Sequence, residues 1–289
     1  MDIADLLAHL NRHYDTAYSL CGKCVGGTRG AYELRDARGR QAILKFGPDR
    51  HWLGRLRQAE QIAARLRAVG YPTPRNLTLG VSPDGWWYQI QEFVVGAPMP
   101  SPLSPASLNH LLALNDLQAT QSLPSGSGWA NWSRYAREVV FAGASGWTES
   151  LRTFSPATRG LLAALLERAQ PFAAAPLSTA DVVHGDFLPE NVLVHDGRVV
   201  AVIDFAAAGC GTRAIDLARL LVWWHADMAA AQRHRLCERF AAIATPAEHA
   251  ICLAYGVIDV LAFVIEHYPN DVGVIVERGF RILEEVRAN

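Results

Sequence analysis

Apolar and polar positions follow different periods in different parts of this chain, and the changes of period divide it. Ile3, Leu6, Leu7 and Leu10 recur at helical spacing and predict a short amphipathic helix over residues 3–13. Residues 19–46 carry short apolar stretches broken by Gly22, Gly26, Gly27, Gly30 and Gly39. That texture predicts three antiparallel strands joined by tight turns. The third strand, Gln41-Ala42-Ile43-Leu44-Lys45-Phe46, stops at Gly47-Pro48. Residues 52–69 are rich in Leu, Ala, Arg and Gln at a helical period, and Gly70 and Pro72 end the predicted helix. Two more strands, over 76–81 and 86–93, flank the Ser82-Pro83-Asp84-Gly85 turn.

The Pro- and Ser-rich segment 96–105 reads as a linker. Beyond it, helices are expected near 105–121, 131–152 and 156–173, with Ser125-Gly126-Ser127-Gly128 between the first two. Short strands follow at 182–184, 192–195 and 199–203, and helices resume near Arg213. The pattern predicts an α+β fold in two lobes. Residues 1–95 would form a small antiparallel sheet with one main helix, and residues 96–289 a larger, mostly helical lobe.

Composition narrows the function classes. Half of the 289 residues are hydrophobic and the net charge is -1, so no basic field points to nucleic acid and no polybasic block to anionic lipid. No apolar run is read as reaching the ~20 residues that span a bilayer. The start, Met1-Asp2-Ile3-Ala4-Asp5, lacks the positive region of a signal peptide. The expectation is a soluble cytoplasmic protein, monomer or dimer, without nucleic-acid or membrane partners. Cys21 and Cys24 form a CxxC, but Cys210, Cys237 and Cys252 supply no second pair for a structural zinc.

The densest chemical signal is His184-Gly185-Asp186-Phe187-Leu188-Pro189-Glu190-Asn191, followed after a two-strand hairpin by Ile203-Asp204. Apolar runs flank both pieces, which places Asp186, Asn191 and Asp204 at strand ends or on loops held by a rigid core. Asn191 and Asp204 offer oxygens suited to Mg²⁺, which takes one or two protein ligands beside phosphate and water. Asp186 is left to accept a proton from a hydroxyl.

This segment resembles the catalytic loop of the aminoglycoside phosphotransferase and choline kinase family, relatives of the protein kinases. The matching positions are His184, Gly185, Asp186, Asn191, Ile203 and Asp204, with Asp216-Leu217-Ala218 as a further element. The resemblance implies a protein-kinase-like fold that binds ATP, or GTP as the alternative, with Mg²⁺. It implies that Asp186 orients the acceptor hydroxyl and takes its proton, that Asn191 and Asp204 hold Mg²⁺, and that His184 and Asp216 brace the loop. It also implies a nucleotide site in the first lobe: Gly26, Gly27 and Gly30 over the phosphates, Lys45 on the third strand paired with Glu60 on the helix, and the backbone of Glu92 and Val94 facing the base. Arg29 reads as an exposed loop residue.

Departures from the protein-kinase pattern matter too. Leu188 stands where protein kinases carry a lysine, Ala206 replaces the glycine after Asp-Phe, and the stretch from Asp204 to Asp216 leaves no room for an activation segment. That points to a small-molecule acceptor. Acidic and aromatic side chains late in the chain suit a cationic one, with Asp227, Asp259 and Glu266 as candidate contacts. The expected activity is phosphorylation of a cationic antibiotic of aminoglycoside or cyclic-peptide type, giving resistance. The alternatives are a kinase of choline, a sugar, a macrolide or homoserine, and a non-catalytic nucleotide-binding module.

Overall fold

The computed structural model describes residues 2–24, 30–123 and 128–286. Helix α1 (Ile3–Tyr14) buries Leu6 and Leu10, one turn apart, in a core completed by Leu34, Ala42, Leu44, Tyr88 and Ile90. Those partners come from β2 (Tyr32–Arg35), β3 (Gln41–Gly47) and β5 (Trp87–Glu92). With β1 (Ser19–Lys23) and β4 (Asn76–Val81) they form an antiparallel sheet in the order β1-β2-β3-β5-β4. The two-residue period of β3 turns Ala42 and Leu44 into this core and Lys45 to the other face. Helix α2 (Trp52–Ala68) buries Leu56, Ala59, Ile62, Ala63 and Leu66, a stripe at helical spacing.

The chain divides into two units. The first holds Met1–Ala97 and Val192–Ala207, the second Pro98–Asn191 and Ala208–Asn289. The two-residue strand β6 (Ala97–Pro98) marks the break, close to the expected one after residue 95. The expected division differs in one element. The hairpin of β8 (Val192–His195) and β9 (Arg198–Val202) belongs to the first unit, not the second. Its contacts explain why: Val202 N–H donates to the Pro72 carbonyl at 2.6 Å, and the rings of Phe205 and Tyr71 meet edge-on at 6.0 Å. The chain at Gly96 runs so close over the hairpin that a Cβ there would lie 2.9 Å from Val200 Cγ2.

The second unit is mainly helical. Ser104 caps α3 (Pro105–Leu117) and Asn131 caps α4 (Trp132–Ala142), each accepting from a backbone N–H three residues on. In place of the single helix expected over 131–152, α4 ends at Ala142 and α5 (Trp147–Phe154) begins anew. Gly143 and Gly146 take left-handed φ values of 68° and 70°, a conformation that ends a helix and that glycine adopts without strain. A capping box of Ser155 and Thr158 opens α6 (Pro156–Ala169). Strand β7 (Asp181–Val183) pairs with β10 (Gly209–Gly211), so the expected β-rich insert is split between the two units. Helices α7 (Ala214–Trp224), α8 (Ala230–Ile243), α9 (Pro246–His267) and α10 (Val272–Glu285) follow.

Helix α9 is the core of this unit, and it corrects one expectation. Its 22 residues, with a mean hydropathy of 1.8 over the most apolar stretch, pass the length and composition test for crossing a membrane. Yet 78% of that stretch is buried inside the unit, as befits a central helix packed on several sides.

His249, in the first turns of α9, stacks on Phe240 of α8 with ring centroids 4.5 Å apart. Burial and the Arg168 guanidinium push its pKa down to about 4. Above about pH 6.5 the imidazole is neutral in folded and unfolded chains alike. Below that, the unfolded chain takes up a proton that the folded one refuses. This residue's contribution to stability therefore falls as pH drops from about 6.5 towards about 4. In urea titrations across that window, His249→Phe is expected to lose this part of the pH dependence. A wild-type and variant difference that stays flat with pH would contradict the assignment.

Candidate active site

The loop that follows β7 is gripped by one face of α7. Asp216, in the first turn of α7, is fully buried. It accepts the backbone N–H of His184 at 2.8 Å, that of Gly185 at 3.0 Å and Gln118 Nε2 at 2.9 Å. Burial raises its pKa, opposed by His184 and by these donors. Three residues on, and so on the same face, Arg219 donates to the Gly185 carbonyl. Both polar groups of Gly185 are thus held from α7, at a left-handed φ of 77° that favours glycine.

Asp186 comes next. Its N–H donates to His184 Nδ1 at 3.2 Å, so that ring nitrogen serves as an acceptor. Asn191 Nδ2 donates to the Asp186 carbonyl at 2.9 Å and to Asp186 Oδ2 at 2.8 Å. The amide of Asn191 spends both its protons there, so its Oδ1 is the atom left to face a ligand. Asp186 Oδ1 lies 3.8 Å from the Arg219 guanidinium, and the carboxyl is 40% exposed. The side chain is oriented on both sides and still open to solvent.

Arg219 is a site residue to which no motif in the sequence points. The signal is an arginine three residues after Asp216 in a helix, Ala-Ile-Asp-Leu-Ala-Arg-Leu-Leu-Val-Trp-Trp, whose other residues are apolar. Its Nε donates to Asp259 Oδ2 at 2.8 Å. Burial opposes the charge on Arg219, but Asp259, Tyr255 and Asp186 together raise its pKa and it stays cationic. Helices α7 and α9 come close enough for this pair because Gly256 packs on Ala218. A Cβ at Gly256 would already touch Ala218 at 3.3–3.4 Å.

Of the three expected acceptor contacts, only Asp259 lies beside Asp186. It is not an open carboxylate but the anchor of Arg219, with 14% of its side chain exposed. Glu266 is exposed near the end of the same helix. Asp227 accepts from Ser101 Oγ at 2.7 Å. Neither makes a described contact with Asp186.

In the first unit, Lys45 Nζ stands 3.8 Å from Asp204 Oδ2. Asp204 holds a left-handed φ of 66°, unusual for a residue with a side chain, at the end of the β8–β9 hairpin. Lys45, Glu60, Asn76, Gln89, Asp204 and Phe205 line a small cavity of about 20 Å³, enough for a water molecule. The expected pairing of Lys45 with Glu60 is replaced by another. Glu60 accepts from the Arg67 guanidinium, two turns along α2, and from Asn76 Nδ2 at 2.7 Å. Asn76 in turn accepts from Gln89 at 2.8 Å. Glu60 therefore shares the cavity with Lys45 but gives its charge to Arg67. The N–H of Glu92 donates to the Arg75 carbonyl at 2.9 Å, and its carboxylate accepts the Arg75 N–H at 3.0 Å. Val94 lies in the connector after β5. Gly30 has a left-handed φ of 74°, while Gly26, Gly27 and Arg29 lie outside the described residues.

The donors present fit Mg²⁺ better than a softer metal. Asn191 Oδ1, in the second unit, and the Asp204 carboxylate, in the first, are each hard oxygens of the kind Mg²⁺ takes. Among the described residues no group of three or more His, Cys, Asp or Glu could hold a metal by itself. Cys21 and Cys24 are both free thiols.

The model of the phosphotransferase enzyme family (APH) matches residues 25–252. No curated protein matches the chain in sequence. Solved structures do match in fold. A thermostable mutant of aminoglycoside phosphotransferase APH(4)-Ia, in a ternary complex with AMP-PNP and hygromycin B, is similar with a TM-score of 0.74 at 20% identity, covering 99% of both chains. The GDP complex of aminoglycoside 2'-phosphotransferase-IIIa is similar at 0.66 and 13% identity, covering 100% of this chain and 99% of that one. Macrolide 2'-phosphotransferase MphH from Brachybacterium faecium is similar at 0.60 and 16% identity, covering 95% of each.

Proposed function

We propose, from the premise that the chain belongs to the phosphotransferase enzyme family and is a kinase-type phosphotransferase of protein-kinase-like fold, that it moves the γ-phosphoryl of ATP to a hydroxyl of a small cationic acceptor of aminoglycoside type. GTP is the alternative donor. The observation that carries this reading is Asp186: a carboxylate oriented by Asn191 and Arg219, with its N–H on His184, yet 40% open to solvent. Such a group can accept a hydrogen bond from a hydroxyl, aim its oxygen, and take its proton as the bond to phosphorus forms. Little covalent chemistry is needed beyond that, because phosphoryl transfer is accelerated mainly by positioning and charge neutralisation.

Lys45 is the proposed phosphate ligand, and Asn191 Oδ1 and Asp204 the proposed Mg²⁺ ligands. When bound, Mg²⁺ supplies charge neutralisation on the phosphate oxygens. His184 and Asp216 act through the loop and touch no substrate. The acceptor class is supported by the similar structures that hold hygromycin B with AMP-PNP or ADP, and the choice of donor by those and by the GDP complex. Asp259 is set aside as a cation contact, since Arg219 already neutralises it. The exposed Glu266 remains a candidate.

The test is acceptor-dependent ADP or GDP release with Mg²⁺ over hygromycin B, other aminoglycosides, choline-like amines and sugars. Release with an aminoglycoside supports the reading. Release only with an amine or a sugar moves the acceptor class. A Mg²⁺-dependent thermal shift with ATP but no release on any acceptor would favour a non-catalytic nucleotide-binding role. Lys45→Ala is expected to raise KM for ATP by about 10–100-fold, the worth of a charged hydrogen bond, and to leave acceptor KM within about twofold. Equal losses for both substrates would remove the lysine from the phosphates.

A further inference from the structure

The peptide group joining Gly185 to Asp186 is held at both ends by side chains. Its carbonyl accepts from Arg219 and its N–H donates to His184 Nδ1. A peptide group is planar, so fixing both ends fixes the direction in which Asp186 leaves it. The guanidinium that holds the carbonyl also stands 3.8 Å from Asp186 Oδ1, while Asn191 holds Oδ2. Backbone and carboxylate of the same residue are thus set by one cation.

That cation is itself fixed. Its Nε donates to Asp259 at 2.8 Å, and a planar guanidinium bonded through Nε to one partner and through a terminal nitrogen to another has little freedom left. Stability alone is a poor reason for the arrangement. A buried ion pair is often matched or surpassed by apolar residues of similar size, because two charges must be stripped of water. Nor is the pair an open cation site, since both members are largely covered, with 12% and 14% of their side chains exposed.

We infer that Arg219 is a positioning residue for phosphoryl transfer, orienting Asp186 through the Gly185 carbonyl, with Asp259 as the anchor that keeps the guanidinium in register. The inference rests on the proposed role of Asp186 as the residue that receives the acceptor hydroxyl. It deepens that reading by extending the active machinery to α9, whose carboxylate never touches a substrate.

The experiment compares wild type with Arg219→Met/Asp259→Leu, which removes both charges and keeps the volume. Arg219→Lys, Asp259→Asn and Asp186→Asn are run alongside. Acceptor-free ATP hydrolysis is followed at varied ATP with water as the acceptor, together with thermal melting. The double variant is expected to melt near wild type and to lose about 10²-fold in kcat, the scale of a roughly 1 Å misplacement, with KM for ATP within about twofold. Arg219→Lys is expected to recover only part of this, because one ammonium cannot reproduce the fork. A folded double variant with wild-type kcat would overturn the inference. Should the double variant not fold, Asp259→Asn decides: a lower kcat at unchanged KM supports the anchor, and an unchanged kcat refutes it. Asp186→Asn separates the two levels. If that variant hydrolyses ATP like wild type, the reading of the site is wrong and the inference falls with it. If it is impaired and the Arg219 and Asp259 variants are not, the inference alone fails.

Discussion

Asp186→Asn is expected to lower kcat by about 10²–10⁴-fold, the range that a positioned general base contributes. The substitution keeps the size of the side chain and removes its basicity. It also turns a favourable contact into a poor one. Asn191 Nδ2 now donates to Asp186 Oδ2 at 2.8 Å, and an amide nitrogen placed there would set donor against donor. The amide is therefore expected to flip, presenting its N–H₂ where the acceptor hydroxyl should find an acceptor. Nucleotide affinity should survive, because Lys45 and Asp204 do not depend on this side chain. Single-turnover transfer with separately measured ATP binding checks both halves. Unchanged turnover would remove Asp186 from the chemistry, and an equal loss of ATP binding would make it a nucleotide ligand instead.

Asp216→Ala is expected to cost at least about 3 kcal/mol in stability. Three donors converge on that carboxylate: the N–H of His184, the N–H of Gly185 and Gln118 Nε2. The site is fully buried, so alanine leaves all three without water to turn to. Each unsatisfied buried donor costs about 1–3 kcal/mol. For a chain of this size that is a fall in Tm of roughly 6–12 °C. Because two of the donors belong to the residues just before Asp186, the variant should lose activity even at temperatures where it remains folded. A melting temperature within about 2 °C of wild type would mean that the loop is held elsewhere.

Burial of Asp216 is the kind of fact that spacing cannot supply. Its place in Asp216-Leu217-Ala218 was legible as a family element, and so was the order of strands and helices. Strand β3 alternates over Gln41–Leu44, and the stripe of α2 has a clean helical period. Glu60 shows the opposite case. Its position on the helix after the lysine strand suggested a partner for Lys45, yet Arg67 on the same helix and Asn76 on β4 take its two oxygens. A local partner two turns away competes with a distant one, and sequence order does not weigh them. The split of 131–152 at Gly143 and Gly146 was written in the glycines but masked by the apolar period on either side.

By itself, then, the sequence determined the residue types of the catalytic loop and the local structure that carries them. Turn residues, alternation and helical stripes act over a few positions, and a motif such as His-Gly-Asp followed by Asn lies within one loop. Tertiary structure decided which charges meet. Arg219 reaches Asp259, forty residues on, because Gly256 lets α9 approach Ala218. It placed the hairpin of residues 192–207 with the first unit through Pro72, Tyr71 and Gly96. Partner choice between distant charges depends on packing distance and on which carboxylates are already satisfied, and neither quantity is written in the order of the residues.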